Sequence, residues 1–127
     1  MSNNPRIDFL PVVKGRPFSS AVRVGDVLYL SGQIGTLPNG DLVAGFEAQA
    51  RQTMENIATT LRESGLSMKN VFKATIMMDD MTRWEEFNEI YLEYFPVLRL
   101  PARSAFGADG LAMGAHLEVE CAAYVPV

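Results

Sequence analysis

The spacing of apolar residues changes along this chain, and each change marks an element. Residues 20–24 and 27–34 are β-branched or apolar runs separated by Gly25-Asp26, the two-residue signal of a hairpin. Pro38-Asn39-Gly40-Asp41 marks a second turn. From 46 to 62, Phe46, Ala50, Met54, Ile57, Ala58 and Leu61 recur at helical spacing, and Gly65 stands where a helix would end. Over 71–78 the pattern shortens to alternation. Phe72, Ala74, Ile76 and Met78 fall on one face, and Val71, Lys73, Thr75 and Met77 on the other, as in a strand. A second helix is expected from Thr82, with Thr82 as cap and Glu85 reaching back in a capping box, and it should stop before Pro96. Its apolar stripe is Trp84, Phe87, Ile90, Tyr91 and Tyr94. Strands over 102–106 and 116–124, joined by the glycine-containing loop 107–114, complete the chain.

The order β-hairpin, α, β, α, β, β predicts an α+β subunit, a mixed sheet with two helices packed on one face. Val27, Tyr29, Val71 and Met77 place apolar surface on the opposite face, which no remaining element can cover. A symmetric partner subunit is the economical cover, so a homo-oligomer is expected.

Composition narrows the picture without changing it. A chain of 127 residues, 48% apolar and 20% charged, reads as one folded domain over 1–127. The net charge of −4, with eleven scattered basic residues, disfavours binding to a phosphate backbone. No apolar run approaches the roughly 20 residues of a membrane span, and the N-terminus lacks a signal-peptide pattern, so a cytoplasmic location is expected. The single cysteine, Cys121, falls on the inward face of a strand and reads as a packed thiol, with no intrachain disulfide available to it.

Two side chains carry candidate chemistry. Arg103, in Pro101-Ala102-Arg103-Ser104, offers a planar fork that can hold a small carboxylate through two parallel hydrogen bonds. Glu118, fifteen residues later in a strand, is of the type that orients or deprotonates a water. On residue type alone Arg103 reads more readily as a surface charge or an ion-pair partner than as a ligand clamp. Glu118 and Glu120, which share a strand face, read on sequence alone as a solvated edge. His116, Glu118 and Glu120 could in principle ligate a metal. Alternate strand positions lie roughly 7 Å apart, however, and no second histidine or further cysteine completes a set. No glycine-rich phosphate loop is present.

Ser31-Gly32-Gln33-Ile34 closing an early strand, Gln49-Ala50-Arg51-Gln52 with Asn56 on the first helix, Asn88 with Tyr91 on the second, and Pro101-Ala102-Arg103-Ser104 resemble the RidA (YjgF-type) family. The motifs stand in order and at similar spacing over residues 17–123. The resemblance implies a chorismate-mutase-like α+β subunit and a homotrimer whose sheets face inward, with ligand sites in clefts between subunits. It also implies a hydrolase, an enamine/imine deaminase that converts reactive 2-imino or 2-enamino acids such as 2-iminobutanoate and 2-iminopropanoate to 2-keto acids and ammonia. No cofactor and no metal are implied. The role would be detoxification of reactive metabolites or one step of a catabolic route.

Residue by residue, the resemblance implies that Arg103 binds the substrate carboxylate and that Glu118 positions the hydrolytic water. Ser31 lies near the ligand, Gly32 supplies a backbone contact, Asn88 stands near the cleft, Phe18 takes an aromatic position, and backbone around Ala105 meets the imine nitrogen. Many deaminases of the family carry tyrosine where this chain has Phe18, and often cysteine where it has Ala105. Neither departure removes the carboxylate clamp or the acid, and the more apolar cleft suits a bulkier substrate. Two other classes stay open: a non-catalytic trimer binding small carboxylates or a partner protein, and RNA cleavage, against which the negative charge and the single histidine argue.

Overall fold

The computed structural model describes residues 4–10 and 15–126. Its strands are β1 (Ile7–Phe9), β2 (Ala21–Val24), β3 (Val27–Leu30), β4 (Val71–Met78), β5 (Ala102–Gly107) and β6 (Leu117–Tyr124). Its helices are α1 (Phe46–Glu63) and α2 (Trp84–Leu92). One sheet holds all six strands in the order β1-β2-β3-β6-β4-β5. Every neighbouring pair is antiparallel except β4 and β5, which run parallel and are joined through α2. A parallel pair needs such a crossover, because a tight turn cannot return the chain to the same end of the sheet.

The hairpin forms where the turn residues put it, with Gly25 at φ 59 between β2 and β3. Its second strand is shorter than the 27–34 run suggests. After Leu30 the chain leaves β2, and Gln33 exchanges backbone hydrogen bonds of 2.8 and 3.0 Å with Val119 of β6. Ser31 and Gly32 are thereby carried past the end of the β2–β3 ladder. The edge strand β1 has no counterpart in the sequence reading.

The core lies between the two helices and one face of the sheet. Phe46, Ala50, Met54, Ile57 and Leu61 of α1 are buried against Leu28, Ala74, Ile76, Leu117 and Val119, while Ala58, at the rim of the stripe, is half-buried. Phe87, Ile90 and Tyr91 are the buried residues of α2. Gly65, at φ 77, lets the chain turn back after α1 so that the Leu66 N–H reaches the Leu61 carbonyl at 2.9 Å.

Two local expectations fail, each for a physical reason. Between Val71 and Lys73 the β4–β6 register shifts by one residue, a bulge that inserts Phe72. The bulge resets the alternation: Val71 joins Ala74, Ile76 and Met78 in the core, and Phe72 is turned out to 43% exposure. Val71 therefore does not belong to the uncovered face. Ahead of α2 the capping side chain is Asp80 rather than Thr82, and it caps the preceding 3-10 turn; α2 itself follows Arg83 with no side-chain cap. The Asp80 carboxylate accepts the Thr82 N–H at 3.0 Å and the Thr82 hydroxyl at 2.6 Å, which starts a 3-10 turn over Met81–Arg83 before the α-helix begins at Trp84. The Thr82 hydroxyl is spent as a donor and does not cap.

The second face of the sheet stays open. Its register groups Phe9, Val22 and Tyr29 in one row and Met77, Phe106 and Glu118 in another. Phe9, Tyr29, Phe106 and Tyr124 are 71%, 53%, 49% and 38% exposed. No described helix is long and apolar enough to cross a membrane.

Candidate active site

The two residues singled out for chemistry occupy different sides of the sheet. Arg103 pairs in register with Ala74 and therefore shares the helix-facing side, whereas Glu118 pairs with Met77 on the open side. β4 runs between their strands. One chain does not bring them together; it builds two separate clefts.

The Arg103 cleft forms where the edge strand β5 meets α2. Trp84, Asn88 and Tyr91 recur at i, i+4 and i+7, so they line one face of α2. The Arg103 guanidinium carbon lies 4.6 Å from the Trp84 ring centre and 4.7 Å from that of Tyr91. Arg103 Nη2 donates to Asn88 Oδ1 at 2.8 Å. Stacking uses the flat faces of a guanidinium and leaves its in-plane N–H groups for hydrogen bonds. Among the described residues no carboxylate pairs with Arg103, so the remaining edge is available to an anion. Asn88, Arg103, Pro101 and Leu100 line the resulting cleft of about 270 Å³. Burial drives the Tyr91 hydroxyl up to about 12, with a smaller push from Cys121 and an opposing pull from Arg103, and the hydroxyl has no hydrogen-bond partner among the described residues. Sequence pattern assigned Trp84 and Tyr91 to the core stripe alone. Their spacing about Asn88 was the available sign that they also hold the arginine.

The second cleft, of about 540 Å³, gathers Phe18, Ser31, Gly32 and Glu118, with Arg16 and Met113 also on its walls. Gly32 packs directly over the acid, and a Cβ added there would lie 2.2 Å from Glu118 Oε2. Only glycine permits that approach. Ser31 is fixed by its hydroxyl, which donates to the Ser19 carbonyl at 2.6 Å. Among the described residues nothing donates to the Glu118 carboxylate. Burial, and then the like charge of Glu120, raise its proton affinity above the ordinary carboxylate range. Met113 is the one described non-glycine residue with positive φ, at 58°.

The other candidates lie elsewhere. Ala105 sits two residues beyond Arg103 on the helix-facing side of β5, packed against the core and outside both clefts. Glu120 is exposed on the open face. His116 Nδ1 lies 2.8 Å from Asp79 Oδ2, and the His116 backbone N–H donates to Gln49 Oε1. Among the described residues no three His, Cys, Asp or Glu side chains gather as a metal site. Cys121 is buried, and desolvation pushes its thiol up to about 12.

Comparison with known proteins connects this geometry to a family. The sequence model described as Endoribonuclease L-PSP matches residues 12–125. A RutC family protein of Aquifex aeolicus is 42% identical over 115 residues, covering 89% of this chain and 91% of the relative. The human 2-iminobutanoate/2-iminopropanoate deaminase is 38% identical over 109 residues, covering 84% of this chain and 79% of the enzyme. Among solved structures, YyfA of Yersinia pestis, described as a protein of unknown function of the conserved Rid family, superposes with a TM-score of 0.87. It is 34% identical over 94% of this chain and all of its own. On the family model, the sequence identities and the shared fold together, this chain belongs to the Rid family, the family of the Endoribonuclease L-PSP model.

Proposed function

We propose that the chain is an imine deaminase that hydrolyses 2-imino or 2-enamino acids, and that it works as a homotrimer whose sites lie between subunits. Arg103 and Asn88 of one subunit face Glu118, Ser31, Gly32 and Phe18 of its neighbour. The observation that carries the reading is the complementarity of the two clefts. One holds a stacked guanidinium without a carboxylate, and the other a carboxylate without a donor. The apolar open face supports the association, since patches built on residues such as Tyr29 and Phe106 are usually covered by another chain.

The chemistry asks little of the protein. The in-plane edge of Arg103 holds the substrate carboxylate and fixes C2. Glu118 accepts a proton from water as the water oxygen bonds to C2. Glu118 passes that proton to nitrogen, giving a tetrahedral carbon that bears a hydroxyl and an amine; it then takes the hydroxyl proton and delivers it to nitrogen as the C2–N bond breaks and the C2=O bond forms, so that ammonia leaves a 2-keto acid. A carboxylate whose proton affinity is raised by burial is a better base at neutral pH than a solvated one. Positioning and one carboxylate that shuttles protons from oxygen to nitrogen suffice for a bond that already hydrolyses in water. RNA cleavage is disfavoured by the net charge of −4 and by the absence of a second histidine beside His116.

Subunit mixing tests both parts. Arg103→Ala and Glu118→Ala should each abolish acceleration of 2-iminobutanoate hydrolysis. Mixed after unfolding and refolding, they should recover up to about a quarter of wild-type activity, because random assembly gives that fraction of sites both intact residues. Absence of recovery would place both residues in one subunit. A wild type no faster than water, yet binding 2-oxobutanoate, would identify a carboxylate-binding protein.

A further inference from the structure

The described arginines fall into distinct groups. Arg6, Arg23, Arg51 and Arg83 each lie within 4.0 Å of a carboxylate. Arg62 and Arg99 donate to the hydroxyls of Thr59 and Tyr124. Arg16 and Arg103 differ from all of these. Arg83 also lies over a ring, that of Phe46, but only Arg16 and Arg103 combine a ring contact with a place on a cleft wall and no carboxylate partner among the described residues.

Arg16 is a looser counterpart of Arg103 in the opposite cleft. Its guanidinium carbon stands 5.9 Å from the centre of the Phe18 ring, and the ring, lacking a hydroxyl, offers it only a π face. A guanidinium placed over a ring keeps its N–H groups in the plane and free to meet an anion in a two-point fork. At Arg103 part of that fork is taken by Asn88. At Arg16 no hydrogen bond takes any of it among the described residues. The two cations therefore present two anion-binding edges, one from each cleft of the proposed composite site.

A substrate with a single carboxylate needs one such edge. The second would be surplus, and the 540 Å³ of the Glu118 cleft would be ample for a four-carbon acid, since cavities of this size hold much larger ligands. A substrate with an anion at both ends uses everything the cleft offers. It places one carboxylate on Arg103 and the imine carbon near Glu118, and it carries the second carboxylate to Arg16. Arg16 would also offset the repulsion between that second charge and Glu118, the carboxylate in the same cleft.

We infer that Arg16 is a specificity-determining residue and that the preferred substrates are imino or enamino dicarboxylic acids, with Arg16 binding the carboxylate farther from the imine. The inference rests on the deaminase reading for its reaction, but not for its anion. Hydrolysis follows the same balance as before, with water entering at C2 and ammonia leaving, and the second carboxylate is unchanged throughout.

The test compares 2-iminobutanoate with 2-iminoglutarate, each generated in situ by an amino-acid oxidase, on wild type, Arg16→Gln and Arg16→Lys. Calorimetry of the corresponding keto acids, 2-oxobutanoate and 2-oxoglutarate, runs alongside. Wild type should favour the dicarboxylic imine at least tenfold in kcat/KM. Arg16→Gln should erase that preference through KM, and Arg16→Lys should retain part of it. Wild type favouring the monocarboxylic imine, or a preference that survives Arg16→Gln, overturns the inference. If neither imine is hydrolysed faster than in water, the deaminase reading fails on its own. The calorimetric preference for 2-oxoglutarate, and its loss in Arg16→Gln, then decides the role of Arg16. Circular dichroism of each variant separates loss of the site from loss of the fold.

Discussion

Gly32→Ala should damage catalysis while leaving the fold nearly intact. The added Cβ would lie 2.2 Å from Glu118 Oε2 and 3.0 Å from its Cδ. Ordinary contact begins near 3.4 Å, so the carboxylate must retreat by about 1 Å. A displacement of that size at a reacting group costs about 10²-fold in rate, or about 2.7 kcal/mol in the barrier. The stability balance is much smaller. The obstructing atoms end a flexible side chain, and moving it to a less favoured rotamer costs about 1 kcal/mol. Gly32 does not have a positive φ, so alanine also gains up to about 1 kcal/mol by restricting the unfolded chain. The melting temperature should therefore stay within about 4 °C of wild type.

Gly35→Ala is the control, because its Cβ would meet the Gln49 Cα and carbonyl oxygen at 2.8 Å, and the backbone of α1 cannot rotate away. Overpacking there should cost about 1–3 kcal/mol of stability. The assay pairs kcat/KM for 2-iminobutanoate with thermal melts, and repeats Gly32→Ala in a Glu118→Ala background, where it should add no further loss. A Gly32→Ala protein within threefold of wild-type kcat/KM would refute the reasoning. So would one that melts as low as Gly35→Ala.

Three further outcomes follow from the same geometry. Arg103→Lys keeps the charge but loses the planar fork and its stacking between Trp84 and Tyr91, so kcat/KM should fall about 10²-fold or more; retention of a third of wild-type activity would contradict the clamp. Glu118 binds its proton more readily folded than unfolded, so its ionisation costs stability as pH rises from the unfolded carboxylate range through the raised native value. Glu118→Gln should thus melt with wild type below about pH 4 and above it at pH 7 to 8, and thermal melts showing the reverse trend would remove the desolvation argument. Phe106 is 49% exposed on the open face and adds nothing to the core, so Phe106→Asp should leave a folded monomer in sedimentation velocity; an unchanged oligomer would exclude this residue from the interface.

The parts of the fold legible in the sequence are those decided within one element. The stripe of α1 is dictated by a 3.6-residue period over 18 residues, and local packing has nothing to add to it. The Gly25-Asp26 hairpin is equally local. What escaped depends on partners. A period of 2 is reversed by one inserted residue, so the bulge at Phe72 was invisible until Val71 and Lys73 could be matched against β6. The cap passed from Thr82 to Asp80 because the Asp80 carboxylate takes both the Thr82 N–H and the Thr82 hydroxyl, and sequence spacing does not rank the two candidate caps. Trp84 and Tyr91 satisfied a core pattern and so concealed their second task of holding Arg103.

The pairing of Arg103 with Glu118 shows where this kind of reading stops. Each residue's side of its own strand follows from alternation, but alternation says nothing about which strands are neighbours or which way a neighbouring strand faces. Fifteen residues and a loop suggest adjacent strands, yet β6 enters the sheet between β3 and β4, so β4 separates it from β5. Register then fixes the consequence: Arg103 aligns with Ala74 and Glu118 with Met77, two residues of opposite parity on the shared neighbour, so the two side chains lie on opposite faces of the sheet. A site that uses both must draw them from two chains. Arg16 lines the Glu118 cleft, so in such a site Arg16 and Arg103 reach the ligand from different subunits, and a ligand with a negative charge at each end would bridge them.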